Sequence, residues 1–132
     1  MPTATATIFT DIVAANKTVI GCGVVNTQNE NLGKIEDLVF DTVSGRVAYA
    51  VLSFGGFLGM GDKYFAIPWR AFHFDLAKKH AVLNLDKKRL ENAPGFDKDN
   101  WPNLADQQWG ATIYKHYGYT PYWDELLPTS NR

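Results

Sequence analysis

A chain of 132 residues with 45% hydrophobic content can bury one core and is too short to divide comfortably into two independent domains. Its formal net charge of -1 and the lack of a long basic run exclude a field that would hold nucleic acid or an anionic membrane. Cys22 is the single cysteine, which excludes an intramolecular disulfide and a cysteine zinc cluster and fits a reducing compartment.

No apolar run approaches the ~20 residues of a membrane span, and the N-terminus carries no basic-then-apolar leader. A cytoplasmic protein without direct membrane insertion is expected. Residues 1–17 are rich in Thr and Ala and read as an arm. Thr18-Val19-Ile20-Gly21-Cys22-Gly23-Val24-Val25-Asn26 reads as a strand interrupted by glycines, with Cys22 as a small buried hydrophobe. Thr27 to Asn31 is turn chemistry, in which an Asn visits the left-handed region. In the run that follows, Lys34 faces out, Ile35 in and Glu36 out. The alternation then slips at Asp37-Leu38, as where a strand bends across a barrel corner. Asp41-Thr42-Val43-Ser44-Gly45 closes a hairpin.

The next run organises the chain. Val47, Tyr49 and Val51 share one face, while Ala48, Ala50, Leu52 and Phe54 share the other, so this strand is expected to be buried on both sides. The turn after it holds Gly55, Gly56, Gly59 and Gly61 and exposes Phe57, Leu58 and Met60, side chains that a solvated turn has no reason to carry. Lys63 to Trp69 is a strand that Pro68 places at an edge or an end. A hairpin runs through Phe72, Phe74, Leu76 and then Ala81 to Leu85, and Asp86 caps a short helix that Pro94-Gly95 ends. The expected core is Ile35, Val39, Val47, Tyr49, Val51, Leu52, Phe65, Ile67, Trp69, Leu83 and Leu85.

From Phe96 the composition turns to Trp, Tyr, Asn, Asp and Pro. Asp106 caps a helix in which Trp109, Ile113 and Tyr117 share a face, and Gly118 stands where a left-handed C-terminal residue belongs. With Trp101, Tyr114, Tyr122 and Trp123 added, this tail is too aromatic to stay free in water. The reading is a mainly β fold: a small closed or partly open antiparallel barrel of about six strands over 18–93, a short helix, and an aromatic tail over 94–132 packed on the barrel or on a second subunit.

The candidate chemical sites are weak. The glycine turn lacks the helix N-terminus that a phosphate cradle needs. His73 and Asp75 have usable metal-ligand spacing but no third imidazole near them, and Cys22 has no basic neighbour to activate it. Glu36 and Asp37 point to opposite faces of a strand, which is wrong for a shared substrate, and no cofactor is expected.

Leu32-Gly33-Lys34-Ile35-Glu36-Asp37, the hairpin at Ser44-Gly45-Arg46-Val47, the Gly-Gly-Phe-Leu-Gly-Met-Gly turn and the closing Ala66-Ile67-Pro68-Trp69 resemble, in this order, the PRC-barrel domain family. The family takes its name from the cytoplasmic domain of the photosynthetic reaction centre H subunit. It also includes the C-terminal domain of a ribosome maturation factor and many small stand-alone bacterial proteins. The resemblance covers about residues 18–90 and implies a small β-barrel acting as an adaptor. Two departures stand out: Asn29 precedes Glu30 where the family often has Gly, and no transmembrane helix precedes the barrel.

Two functional readings follow. In the first the chain is not an enzyme but an interaction module, whose tip (Phe57, Leu58, Met60, with Asp62 and Lys63 as a polar rim) and tail (Trp101, Trp109, Tyr117, Tyr122, Trp123) meet a protein partner or a second copy, a dimer being the simplest form. In the second it is a small-molecule-binding module or weak hydrolase with a pocket lined by Trp101, Trp109, His116 and Tyr117.

Overall fold

A computed structural model describes residues 11–55 and 63–125. Its strands are β1 (Gly23–Val25), β2 (Asn31–Phe40), β3 (Val47–Phe54), β4 (Lys63–Pro68), β5 (Phe72–Asp75), β6 (His80–Leu83) and β7 (Phe96–Asp97). They form one sheet in the order β5-β6-β1-β2-β3-β4-β7, and the helices α1 (Lys87–Glu91) and α2 (Gln107–Tyr117) belong to the C-terminal part.

The expectation of a closed or partly open antiparallel barrel of about six strands is met in its open form and corrected in strand number and in the direction of one pair. A seventh strand is present because the backbone of Phe96 and Asp97 adds to Tyr64 and Lys63; two residues are too few for alternation to reveal it. The sheet is open, its end strands β5 and β7 being unpaired with each other. One pair, β1 with β6, is parallel, and the crossover that a parallel pair requires is supplied by β2 to β5. The first expected strand also shrinks. Ala15–Val19 forms a helical turn, Gly21 at φ 89° breaks the chain direction, and only Gly23–Val25 joins the sheet.

Two bulges shape the β2–β3 pairing. On β2 the register passes from Ile35 opposite Leu52 to Asp37 opposite Val51, which makes Glu36 the extra residue where the sequence pattern slips. On β3 the register passes from Val39 opposite Tyr49 to Phe40 opposite Val47, leaving Ala48 out of register. This second bulge turns Ala48 away from the face of Ala50 and Leu52 and toward that of Tyr49.

Strand β3 is buried on both faces, because each face has its own core. On the inner side Val24, Leu32, Ile35, Leu52, Phe65, Ile67, Phe72 and Leu83 pack together, and Leu90 of α1 joins them. All six strands from β1 to β6 contribute to this cluster, so the sheet curls around it as a barrel does. On the outer side Tyr49 and Ala66 pack against Ile113 and Tyr114 of α2. Val39 and Trp69, expected in the core, are half-buried at the margins of these clusters, and Val47, also expected there, is half-buried.

Helix α2 begins where the Asp106 side chain accepts from the backbone N–H groups of Gln108 (2.9 Å) and Trp109 (3.5 Å). It ends where Gly118, at φ 82°, lets the Tyr119 N–H reach the Tyr114 carbonyl at 3.0 Å. At Gly110 the helix carries no side chain, so its backbone approaches Tyr49 closely.

Candidate functional site

The residues singled out in sequence fall into two groups at opposite ends of β3 and β4. Of the tip, Phe57, Leu58, Met60 and Asp62 lie outside the described residues. Lys63 opens β4 opposite Asp97 of β7, with Nζ 5.8 Å from the centroid of the Phe65 ring. Next to it Tyr64 pairs with Phe96 in an edge-on contact at 6.1 Å, and Trp101 packs on both rings at 5.9 and 5.1 Å. The Trp101 indole N–H donates to the Lys98 carbonyl at 2.8 Å, which fixes its orientation, and 37% of the residue remains exposed. An exposed aromatic of the tail therefore stands at the foot of the glycine turn.

The other tail residues are used within the chain. Trp109 lies 5.4 Å from Tyr49 and half-buried; Tyr117 packs against both cores; Trp123 meets Tyr114 edge-on at 5.8 Å and Tyr122 at 5.4 Å. The Tyr117 hydroxyl is buried with no partner among the described residues, and burial raises its pKa. The Tyr114 hydroxyl donates to the carbonyl of the bulged Ala48 at 2.7 Å, and burial pushes its pKa up to about 12.

The residues expected to line a pocket, Trp101, Trp109, His116 and Tyr117, have different ring partners in the structure. Trp101 belongs to the β7 edge, well ahead of α2, and His116 is exposed with its ring 4.8 Å from that of Tyr117. One groove between sheet and tail, of about 500 Å³, is lined by Arg46, Trp69, Arg70, Tyr114, Tyr122 and Glu125 among others. Sequence reasoning missed Arg46. Its guanidinium Nη2 donates to the Tyr122 carbonyl at 2.6 Å and its carbon centre sits 4.9 Å above the Tyr122 ring. The Tyr122 hydroxyl in turn donates to Asp41 at 2.8 Å, and this bond, with the N–H groups of Val43 and Ser44, lowers the Asp41 pKa.

Cys22 is half-buried and desolvation raises its pKa, which keeps it a thiol. Among the described residues no group of three or more His, Cys, Asp or Glu gathers, and no helix is long and apolar enough to cross a membrane.

The PRC-barrel domain model matches residues 13–90 of the chain, more than half of it. The chain belongs to the PRC-barrel family. The matched part of this PRC-barrel runs through α1, so β7, α2 and the aromatic tail lie beyond it. Among solved structures the chain is similar to one named for the 16S ribosomal RNA processing protein RimM of Pseudomonas aeruginosa, at 20% identity and a TM-score of 0.37. That alignment covers 54% of this chain and 43% of the other, so the chain spans less than half the length of that relative. No curated protein matches the chain.

Proposed function

We propose that this PRC-barrel chain is a non-enzymatic adaptor that works by association, with the glycine turn and the exposed part of the aromatic tail at the apolar centre of its contact. The observation that supports this reading is the pairing of β4 with β7. It sets Trp101 beside Tyr64, one residue from where the turn carrying Phe57, Leu58 and Met60 rejoins the sheet. Apolar side chains gathered at an edge cost solubility unless a partner covers them, and Lys63 and Asp97 supply a polar rim. A second copy in a symmetric dimer is the commonest cover of this kind.

The experiment is sedimentation of wild type, Phe57→Asp and Trp101→Ala at several concentrations, together with partner capture by the same proteins. Association that is weakened by both substitutions while the β-sheet spectrum stays unchanged is the expected result. A wild-type protein that stays monomeric at high concentration and captures nothing that Phe57→Asp fails to capture would sink the proposal.

A further inference from the structure

We infer that the groove between the β2–β3 hairpin and the C-terminal tail binds a small carboxylate with an apolar body, and that Glu125 occupies part of this site as an internal stand-in. The groove, about 500 Å³, has the volume of a small-ligand site and is walled by Trp69, Tyr114 and Tyr122. Two guanidinium groups, Arg46 and Arg70, line it against the single carboxylate of Glu125. It lies at the hairpin end of β3, opposite the end where Trp101 stands, so the inference is independent of the adaptor reading.

Arg46 is the anchor. A guanidinium carries five N–H donors. Arg46 commits one Nη to the Tyr122 carbonyl and lies over the Tyr122 ring, while its Nε–H is buried with no acceptor among the described residues. Asp41, the acid close enough to feel its charge, spends its oxygens on the Tyr122 hydroxyl and on the N–H groups of Val43 and Ser44. The buried Nε is closed to a ligand, but the residue lines the groove with donors to spare, and a planar carboxylate is the acceptor whose geometry fits a guanidinium edge.

Glu125 shows that the groove takes a carboxylate. Its Oε2 pairs with Nη1 of Arg70, whose side chain is 64% exposed. The Glu125 side chain is 18% exposed, but its partner guanidinium stands largely in water, which screens the pair and keeps its contribution small, so an external carboxylate with an aromatic body, which adds burial against Trp69 and Tyr114, can displace it. A neutral analogue lacks the charge-assisted bonds, and a cation is repelled by both arginines.

The test is titration of the isotope-labelled full chain with phenylacetate, and with phenylethanol as the neutral analogue, following the Trp69 indole signal assigned through Trp69→Phe. Phenylacetate is expected to give saturable shifts and phenylethanol none over the same range. Because Arg46 also holds Tyr122 in place, the substitutions that decide are Arg70→Gln and Glu125→Gln. Arg70→Gln should weaken phenylacetate about tenfold, the scale of a lost charge-assisted hydrogen bond. Glu125→Gln should tighten it by up to about fivefold, the worth of an exposed ion pair. No saturable shift at the Trp69 indole, equal shifts from both compounds, or a Glu125→Gln protein that binds phenylacetate no better than wild type would each overturn the inference.

Discussion

Replacing Gly110 with Ala sets two effects of opposite sign against each other. In an exposed helix interior the change stabilises by ~1 kcal/mol, because glycine is the poorer helix former. In α2, however, the added Cβ would stand 2.6 Å from the Tyr49 hydroxyl oxygen and 3.0 Å from a ring carbon of Trp123. The hydroxyl is the far end of a side chain, yet it cannot retreat cheaply: the Tyr49 ring is buried between Trp109 at 5.4 Å and Tyr114 at 5.3 Å. Overpacking a site of this kind costs ~1–3 kcal/mol, so strain outweighs propensity and a net loss of ~1–2 kcal/mol is expected. For a chain of this size that corresponds to a fall in Tm of ~4–8 °C. The assay is thermal and urea unfolding of wild type, Gly110→Ala, Tyr49→Phe and the double variant. Tyr49→Phe removes the contacted oxygen, so Gly110→Ala should cost much less in that background, with a coupling of ~1 kcal/mol or more. A Gly110→Ala protein more stable than wild type, or a penalty unaltered by Tyr49→Phe, would refute the close approach of helix and strand.

Other expectations can be checked in parallel. Gly33, at φ 118°, would place a Cβ 2.0 Å from the Ser53 carbonyl oxygen, and this backbone atom cannot yield without breaking the β2–β3 pairing. Gly33→Ala should therefore cost ~3–5 kcal/mol, and an unchanged urea midpoint would contradict that. At alkaline pH, burial holds the Tyr114 pKa at about 12, and those of Tyr49 and Tyr117 are raised by the same cause. Unfolded tyrosines ionise near ~10, so stability is full below that pH and falls as pH rises toward the folded-state values; flat urea midpoints across the range would refute this. At acid pH the sign reverses. The Asp41 pKa is lowered, first by the Tyr122 hydroxyl, so its contribution is present above the ordinary carboxylate value of ~3.9 and is lost as pH falls through the folded value. Tyr122→Phe should flatten that acid limb, and identical limbs in the two proteins would show the bond to be unimportant. Deleting residues 96–132 should uncover Tyr49 and Ala66 and raise binding of an apolar dye, whereas a silent truncated protein would show that the tail covers nothing.

What could be read in the sequence was local in character. The double-faced β3 was visible because its neighbours on each face are apolar at period two, and the caps Asp86, Asp106 and Gly118 act within a single turn of their own helix. Asn29, at φ 63°, takes the left-handed conformation expected of it. The contacts that sequence reading missed join residues far apart in the chain. Arg46 and Tyr122 are separated by 76 positions and Tyr114 and Ala48 by 66, and no spacing rule connects them. Tyr114 stands outside the i, i+4, i+8 stripe of Trp109, Ile113 and Tyr117, so helical spacing alone does not single it out. The missing side chain at Gly110 lets the helix sit close enough for Tyr114 to reach the bulged carbonyl.

The parallel pairing of β1 with β6 also bears on how the chain folds. Val24 meets Ala81 only after β2, β3, β4 and β5 have been laid down between them, and closing so long a loop costs entropy before any contact repays it. The β2-β3-β4 meander, whose strands are neighbours both in sequence and in the sheet, can assemble without that cost. It is the natural nucleus, β1 can join it through its own hairpin with β2, and the β1–β6 pairing is the seam that closes late and opens early. Ala81→Gly on β6 should then speed unfolding and leave the folding rate nearly unchanged, while Ala50→Gly in the meander should slow folding; equal effects of both on the folding rate would place the seam elsewhere.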